Sequence, residues 1–233
     1  MATVLLVRHG RSTANTSGVL AGRLAGVQLD ETGLGQARRA AARLQGLRLA
    51  EVVSSPLTRC RETARALAAV LDPAPAVRTD RSLTECDYGE WEGRRLKELT
   101  REKLWRTVQA QPSAATFPGG ESMTAMQSRA VAAVRRHDAR IEAEHGAGAV
   151  WAAVSHGDVI KAVLADALGM HLDLFQRLHV DPASVSIVRY GAPHPFVLGV
   201  NTHEGPLAWL AAPQRRRPQR GATVGGGSGP GAL

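Results

Sequence analysis

Val4, Leu5, Leu6 and Val7 form an unbroken apolar run that stops at Arg8, His9 and Gly10. A strand with one wet face alternates apolar and polar residues, whereas a strand apolar at every position needs cover on both faces, the habit of parallel sheets packed between helices. Glu51 to Ser54, Ala149 to Val154, Val185 to Val188 and Phe196 to Val200 read as further strands. Helical stretches separate them. Asp30 is placed to cap a helix whose apolar positions include Leu34, Ala37, Ala41 and Leu44. Ser55 and Pro56 suit the N-cap and first position of another. A third runs through Asp158, Ile160, Val163 and Leu164. This alternation predicts an α/β three-layer sandwich with a mostly parallel central sheet and helices on both faces. In such sheets ligands bind outside the carboxyl ends of the strands.

The 233 residues suffice for one domain with a sizeable core. From Pro213 the chain is rich in Gly, Pro and Arg with almost nothing to bury, so a folded domain over residues 1–212 and a disordered basic tail over 213–233 are expected. The formal charge of +8 invites a nucleic-acid reading, but Arg215, Arg216, Arg217 and Arg220 in the tail supply half of it, and nucleic acid is not an expected partner. No run is long enough to cross a bilayer, and Thr3 to Val7 is too short for a signal peptide, so no membrane association and a cytoplasmic location are expected. Cys60 and Cys86 lack both disulfide-framework and metal-site spacing and read as reduced thiols. No metal or cofactor is expected.

Four segments place chemistry at strand ends. The first is Val7-Arg8-His9-Gly10-Arg11-Ser12-Thr13-Ala14-Asn15, where a guanidinium able to grip a phosphate adjoins an imidazole able to attack it. The second, Ser54-Ser55-Pro56-Leu57-Thr58-Arg59-Cys60-Arg61-Glu62-Thr63-Ala64, puts Arg59 in a first helical turn, whose free N–H groups favour anions. The third, Leu83 to Gly93, concentrates Glu85, Asp87, Glu90 and Glu92, and composition alone does not choose a general acid among them. The fourth, Val154-Ser155-His156-Gly157-Asp158, repeats the strand–His–Gly pattern.

Together VRHGRSTAN, LDETGLGQA, SSPLTRCRETA, LTECDYGEWEG, FPGGES and VSHGDVI resemble, in order, the motifs of the histidine phosphatase superfamily, the phosphoglycerate mutase-like proteins. Asp30 stands where that family often has Thr, and both residues cap helices. The resemblance implies that His9 is the nucleophile and becomes phosphohistidine. It implies that Arg8, Arg59 and His156 form the phosphate pocket and that Glu85 is the proton donor. It assigns Asn15 to the transferring phosphoryl group, and Ala21 and Gly22 to a stretch that approaches substrate. Arginines then supply the positive charge without a metal.

Relatives divide between phosphatases and mutases. Mutases of the cofactor-dependent type carry Arg after the catalytic Glu and a longer insertion before Pro-Gly-Gly-Glu. Here Cys86 follows Glu85, and the connection to Gly119 is short. The expectation is a metal-independent phosphomonoesterase of histidine acid phosphatase type, with a phosphomutase and a non-catalytic phosphate- or partner-binding module as alternatives. The region from Arg94 to Gly120 is expected to form a small helical cap, in which Arg94, Arg95 and Lys97 stand ready to read a second anionic group. The partner is a small-molecule phosphate ester of open identity, and a homodimer is an assembly common among relatives.

Overall fold

The computed structural model describes residues 2–203 together with Gly205 and Leu207. The tail expected from Pro213 onward lies outside the described residues.

The central sheet contains β1 (Thr3–Arg8), β2 (Leu49–Ser54), β3 (Ala76–Thr79), β4 (Val150–Ser155), β5 (Val185–Arg189) and β6 (Phe196–Thr202). Their order is β3-β2-β4-β1-β5-β6. The first four are parallel to one another, and β5 and β6 run antiparallel at one side. β1 and β4 lie at the centre, in a register that sets Arg8 beside Ser155. All four parallel strands therefore deliver their carboxyl ends to one edge.

The apolar run of β1 divides between two cores. Leu5 and Val7 pack with Val52, Ala152 and Val154 against α2 (Glu31–Ala42) and α3 (Thr58–Ala68). Val4 and Leu6 pack with Val53, Trp151 and Ala153 against α6 (Met123–His145) and α7 (Gly157–Ala167). The Trp151 indole, at the middle of the sheet, is fully buried, and its N–H finds a carboxylate, Asp138 Oδ1, at 2.9 Å. The cap comprises α4 (Leu96–Leu99) and α5 (Lys103–Ala110). It is anchored by Trp91, which stacks on Trp105 and meets Phe117 edge-on.

Two local expectations are corrected. Helix α3 begins at Thr58 with Leu57 at its N-cap, so Ser55 and Pro56 precede it. The Ser55 hydroxyl lies 2.8 Å from His156 Nε2 and only weakly receives the Leu57 N–H at 3.4 Å. Leu34 is 38% exposed, because α2 buries Gly33, Ala37, Ala40 and Ala41 instead. Asp30 caps α2 as expected, accepting the Gly33 N–H at 2.7 Å.

Gly33 also sets how closely α2 approaches the turn after β1. A Cβ there would fall 1.9 Å from the Arg11 carbonyl oxygen, and one on Gly10 would fall 2.5 Å from the Gly33 carbonyl oxygen. Backbone meets backbone at this contact, so neither side yields cheaply. Gly33→Ala should lower unfolding free energy by about 1–3 kcal/mol despite alanine's better helix propensity, whereas Gly35→Ala, two positions on, should raise it by up to about 1 kcal/mol. Urea unfolding of the two variants checks this, and a stabilised Gly33→Ala would refute the contact.

Candidate active site

Beyond β1 the chain turns through His9 and Gly10, and the turn is fastened from four sides. The His9 N–H donates to Ser155 O at 3.0 Å and the Gly10 N–H to Thr63 Oγ1 at 3.2 Å. The Arg11 N–H reaches Gln36 Oε1 at 2.8 Å, and Arg11 Nε reaches Asp30 Oδ2 at 2.7 Å. From far along the chain, the Ala183 N–H is shared between the carbonyls of Arg8 and His9, at 3.1 and 3.2 Å.

His9 is 4% exposed, and its Nδ1 lies 2.7 Å from Gly10 O. A carbonyl only accepts, so the ring proton sits on Nδ1 and Nε2 keeps its lone pair. Arg59 Nε donates to that lone pair at 3.2 Å. Burial, then the Arg59 and Arg8 guanidiniums, hold the imidazole well below its ordinary 6.5. His9 is thus neutral around neutral pH, with the nitrogen a nucleophile needs.

Arg59 is 2% exposed, and among the described residues no carboxylate forms an ion pair with it. Its Nη2 donates to Gly22 O at 2.7 Å and to His156 Nδ1 at 3.2 Å. An arginine only donates, so His156 carries its proton on Nε2 and passes it to Ser55 Oγ. Burial and then Arg59 keep His156 uncharged, with its pKa well below 6.5. Arg59 Nη1 is buried without a partner, and so is Arg8 Nε, although Arg8 Nη1 is fixed to Val180 O at 2.6 Å. Unpaired buried cationic N–H groups are costly, and two of them in residues lining one cleft form a receptor for an anion.

That cleft, of about 210 Å³, is lined by Arg8, His9, Asn15, Ala21, Gly22, Arg59 and Glu85. His156 lies behind Arg59, and its ring meets that of His9 edge-on at 5.2 Å between centroids. Every residue expected at the site is therefore gathered at one strand edge. Asn15 Oδ1 closes a capping box with the N–H and hydroxyl of Ser12, at 3.0 and 2.9 Å, which leaves its Nδ2 as a donor. Among the four carboxylates left open by composition, Glu85 lines the cleft, while Asp87 pairs with Arg23 and Glu92 receives the Arg23 N–H. Burial and then the Asp158 carboxylate push Glu85 up to about 7, against the pull of the Cys86 N–H, Arg59 and Arg8. Its backbone is clamped: Arg23 Nε and Arg129 Nη2 both donate to Glu85 O, at 3.0 and 3.1 Å, and both arginines pair with Glu121.

Sequence reasoning missed Tyr88, Asp158 and Lys161, which also line the cleft. The Tyr88 hydroxyl donates to Asp158 Oδ2 at 2.8 Å. Position 158 carried a signal, since it directly follows the second His-Gly pair, but it read as a helix-start residue. The expected anion readers at the cap do not reach the cleft: Arg94 pairs with Glu102 at 2.6 Å, Arg95 and Lys97 are exposed, and Leu96 is the cap residue that lines it. The two cysteines have separate neighbours, Cys60 against His156 and Cys86 against Met123. Burial pushes the Cys60 thiol up to about 12, so it stays protonated. Among the described residues no cluster of three metal-ligating side chains occurs, and no helix is long and apolar enough to cross a membrane.

Glu85 keeps its proton up to about pH 7 in the folded protein but ionises near 4.5 when unfolded. Folding therefore weakens as pH rises through that window, and the deficit is complete above it. Glu85→Gln, which removes this charge, should stabilise the protein by about 1–3 kcal/mol at pH 8 and leave it no more stable at pH 4. Thermal unfolding at the two pH values measures the difference.

A family model described as histidine phosphatase superfamily (branch 1) matches residues 4–203. The bifunctional protein Rv2228c of Mycobacterium tuberculosis is 37% identical over 193 residues, covering 81% of this chain and 50% of that protein, so the chain spans half the length of this curated relative. A probable phosphoglycerate mutase GpmB of Yersinia pestis is 32% identical over 192 residues, covering 82% of this chain and 86% of that one. The solved structure of the mycobacterial glucosyl-3-phosphoglycerate phosphatase Rv2419c with VO3 superposes with a TM-score of 0.77 at 24% identity, covering 86% of this chain and 99% of that one, a likeness of fold.

Proposed function

The chain belongs to the histidine phosphatase superfamily, branch 1, and on that premise we propose that it hydrolyses phosphate monoesters through a phosphohistidine formed on His9. The observation that carries this reading is an unprotonated imidazole nitrogen bonded by Arg59, with Arg59 and Arg8 each keeping an unpaired buried N–H group, in a cleft shared with a carboxyl that holds its proton up to about pH 7.

His9 Nε2 attacks phosphorus, and the bond from phosphorus to the ester oxygen breaks. Arg8 and Arg59 hold the non-bridging oxygens, and Asn15 Nδ2 donates to the phosphoryl group in flight. His156 bonds Arg59 from behind rather than touching phosphate as expected, because Arg59 and Ser55 take both its ring nitrogens. Glu85 gives its proton to the departing oxygen. Ala21 and Gly22 fix one wall, and the Gly22 carbonyl orients Arg59. In the second half, the Glu85 carboxylate takes a proton from water, whose oxygen attacks phosphorus as the bond to His9 breaks. Inorganic phosphate leaves and Glu85 is protonated again.

Hydrolysis is favoured over phosphoryl exchange between two positions of one substrate. A mutase of the cofactor-dependent type presents Arg after its catalytic Glu, and here that position is Cys86, buried against Met123. A relative bears the name probable phosphoglycerate mutase, so the exchange reaction is the comparison to run. Two buried free thiols favour a reducing, cytoplasmic setting.

A phosphate-release assay with p-nitrophenyl phosphate and a panel of natural monoesters tests the proposal. His9→Ala should lose at least about 10³-fold in kcat and should fail to take up the acid-labile, base-stable label that the parent acquires. Formation of 2-phosphoglycerate from 3-phosphoglycerate and a bisphosphate primer, faster than phosphate release, would replace the hydrolase with a mutase. The pH profile adds a second check. Rate should fall above about pH 7 as Glu85 loses its proton, and the acid limb should lie below 6.5, where His9 gains one. Glu85→Gln should be slow throughout and should lack the alkaline limb.

A further inference from the structure

The cleft divides by charge. At the His9 end, Arg8 and Arg59 carry the unpaired buried N–H groups, two positive charges for one phosphate dianion. Beyond them, the charges already cancel. Lys161 Nζ lies 3.8 Å from Asp158 Oδ1 and 3.1 Å from Gln176 Oε1, with the Phe175 ring 5.6 Å away. Asp158 is further fixed by the Tyr88 hydroxyl. Glu85, protonated up to about pH 7, adds no charge while it waits to act. Val19, Leu20 and Leu96 add apolar lining to the same cleft. The cap arginine best placed to supply another cation, Arg94, is spent on Glu102.

A leaving group in this compartment meets an acceptor, a donor and apolar lining, but no uncompensated cation. A carboxylate or second phosphate on it would have to settle beside Asp158 with Lys161 already shared, which costs binding energy that a neutral group keeps. A hydroxylated ring suits all three features: its hydroxyls bond Asp158 and Lys161, and its carbon face packs on Val19, Leu20 and Leu96. We infer that the site selects monoesters whose leaving group is neutral and polyhydroxylated, a sugar or nucleoside alcohol, and that the Asp158–Lys161 pair sets this selectivity. The inference rests on the phosphatase reading and narrows its substrate class.

The test compares kcat/KM for ribose 5-phosphate, a nucleoside 5′-monophosphate, 3-phosphoglycerate and 2-phosphoglycolate at about pH 6, with p-nitrophenyl phosphate as the generic ester. The neutral-alcohol esters should exceed both acid-bearing ones by about 10-fold or more, and the better of the two neutral arms identifies the source. Asp158→Asn keeps the shape and an acceptor for Tyr88 while removing the charge, so it should narrow that ratio by about 10-fold. Lys161→Gln leaves Asp158 uncompensated and should widen it. Ratios between substrates cancel any change in the Glu85 proton, which acts on every ester alike. Acid-bearing esters turned over as well as the neutral ones, or a ratio that neither variant moves, would overturn the inference while p-nitrophenyl phosphate turnover upheld the phosphatase. No release from any ester would remove the phosphatase reading, and the selectivity with it.

Discussion

A guanidinium buried without a carboxylate is the constraint around which this molecule is arranged. Arg59 is held by neutral acceptors alone: an imidazole nitrogen of His9, one of His156 and the carbonyl of Gly22. A full positive charge in that position disfavours protonation of both rings and so keeps the His9 Nε2 lone pair free of a proton. The three acceptors come from the end of β1, the end of β4 and the loop after the short helix Thr13–Ser17. One side chain thus fixes the relative positions of two central strands and a wall of the cleft. A carboxylate partner would have made Arg59 cheaper to bury and useless as an anion receptor.

Glu85, the proton donor proposed above, is supported differently. Glu85 lies in an irregular segment with no regular element of its own, between Leu83 and Gly89. Its carbonyl receives two arginines, Arg23 and Arg129, and Glu121 bridges them. Glu121 also accepts the Asp87 N–H, at 2.9 Å. The FPGGES segment therefore acts on the chemistry without entering the cleft: it makes a rigid bracket of ion pairs on which a loop carboxyl keeps a fixed place. Gly89 belongs to the same bracket, since a Cβ there would fall 2.1 Å from the Pro118 carbonyl oxygen.

The sheet's centre was legible because burial on both faces leaves its mark residue by residue, in Val4 to Val7 and in the Val-Trp-Ala-Ala-Val of β4. The edge strand β3 was not: Ala76–Thr79 is exposed along its length, so no apolar pattern announces it. Ser55 reads locally as a cap, yet its hydroxyl serves His156, a residue no local window contains. The same holds for the compartment beyond the phosphate. His9, Arg59 and His156 stood out in short motifs of unusual residues, whereas Glu85 was picked from among its neighbouring carboxylates only by the family resemblance. Tyr88, Asp158 and Lys161 look like an aromatic in a turn, a helix-start acid and a helix lysine until the fold brings them together. The cap arginines show the converse, since a run of cations in sequence says nothing about which of them already holds a carboxylate.

The shared Ala183 N–H has a consequence for how such a protein comes into being. The carbonyls of Arg8 and His9, which flank the His9 Cα, both accept the N–H of Ala183, far along the chain in the stretch that also supplies Val180 O to Arg8. Throughout synthesis the nascent chain carries the Arg-His-Gly signature without the site. A fragment stopping short of Asp181 would display the motifs without the Ala183 N–H that fastens the turn around His9. The turn after β1 is completed only by the stretch that leads into β5, which returns antiparallel to β1.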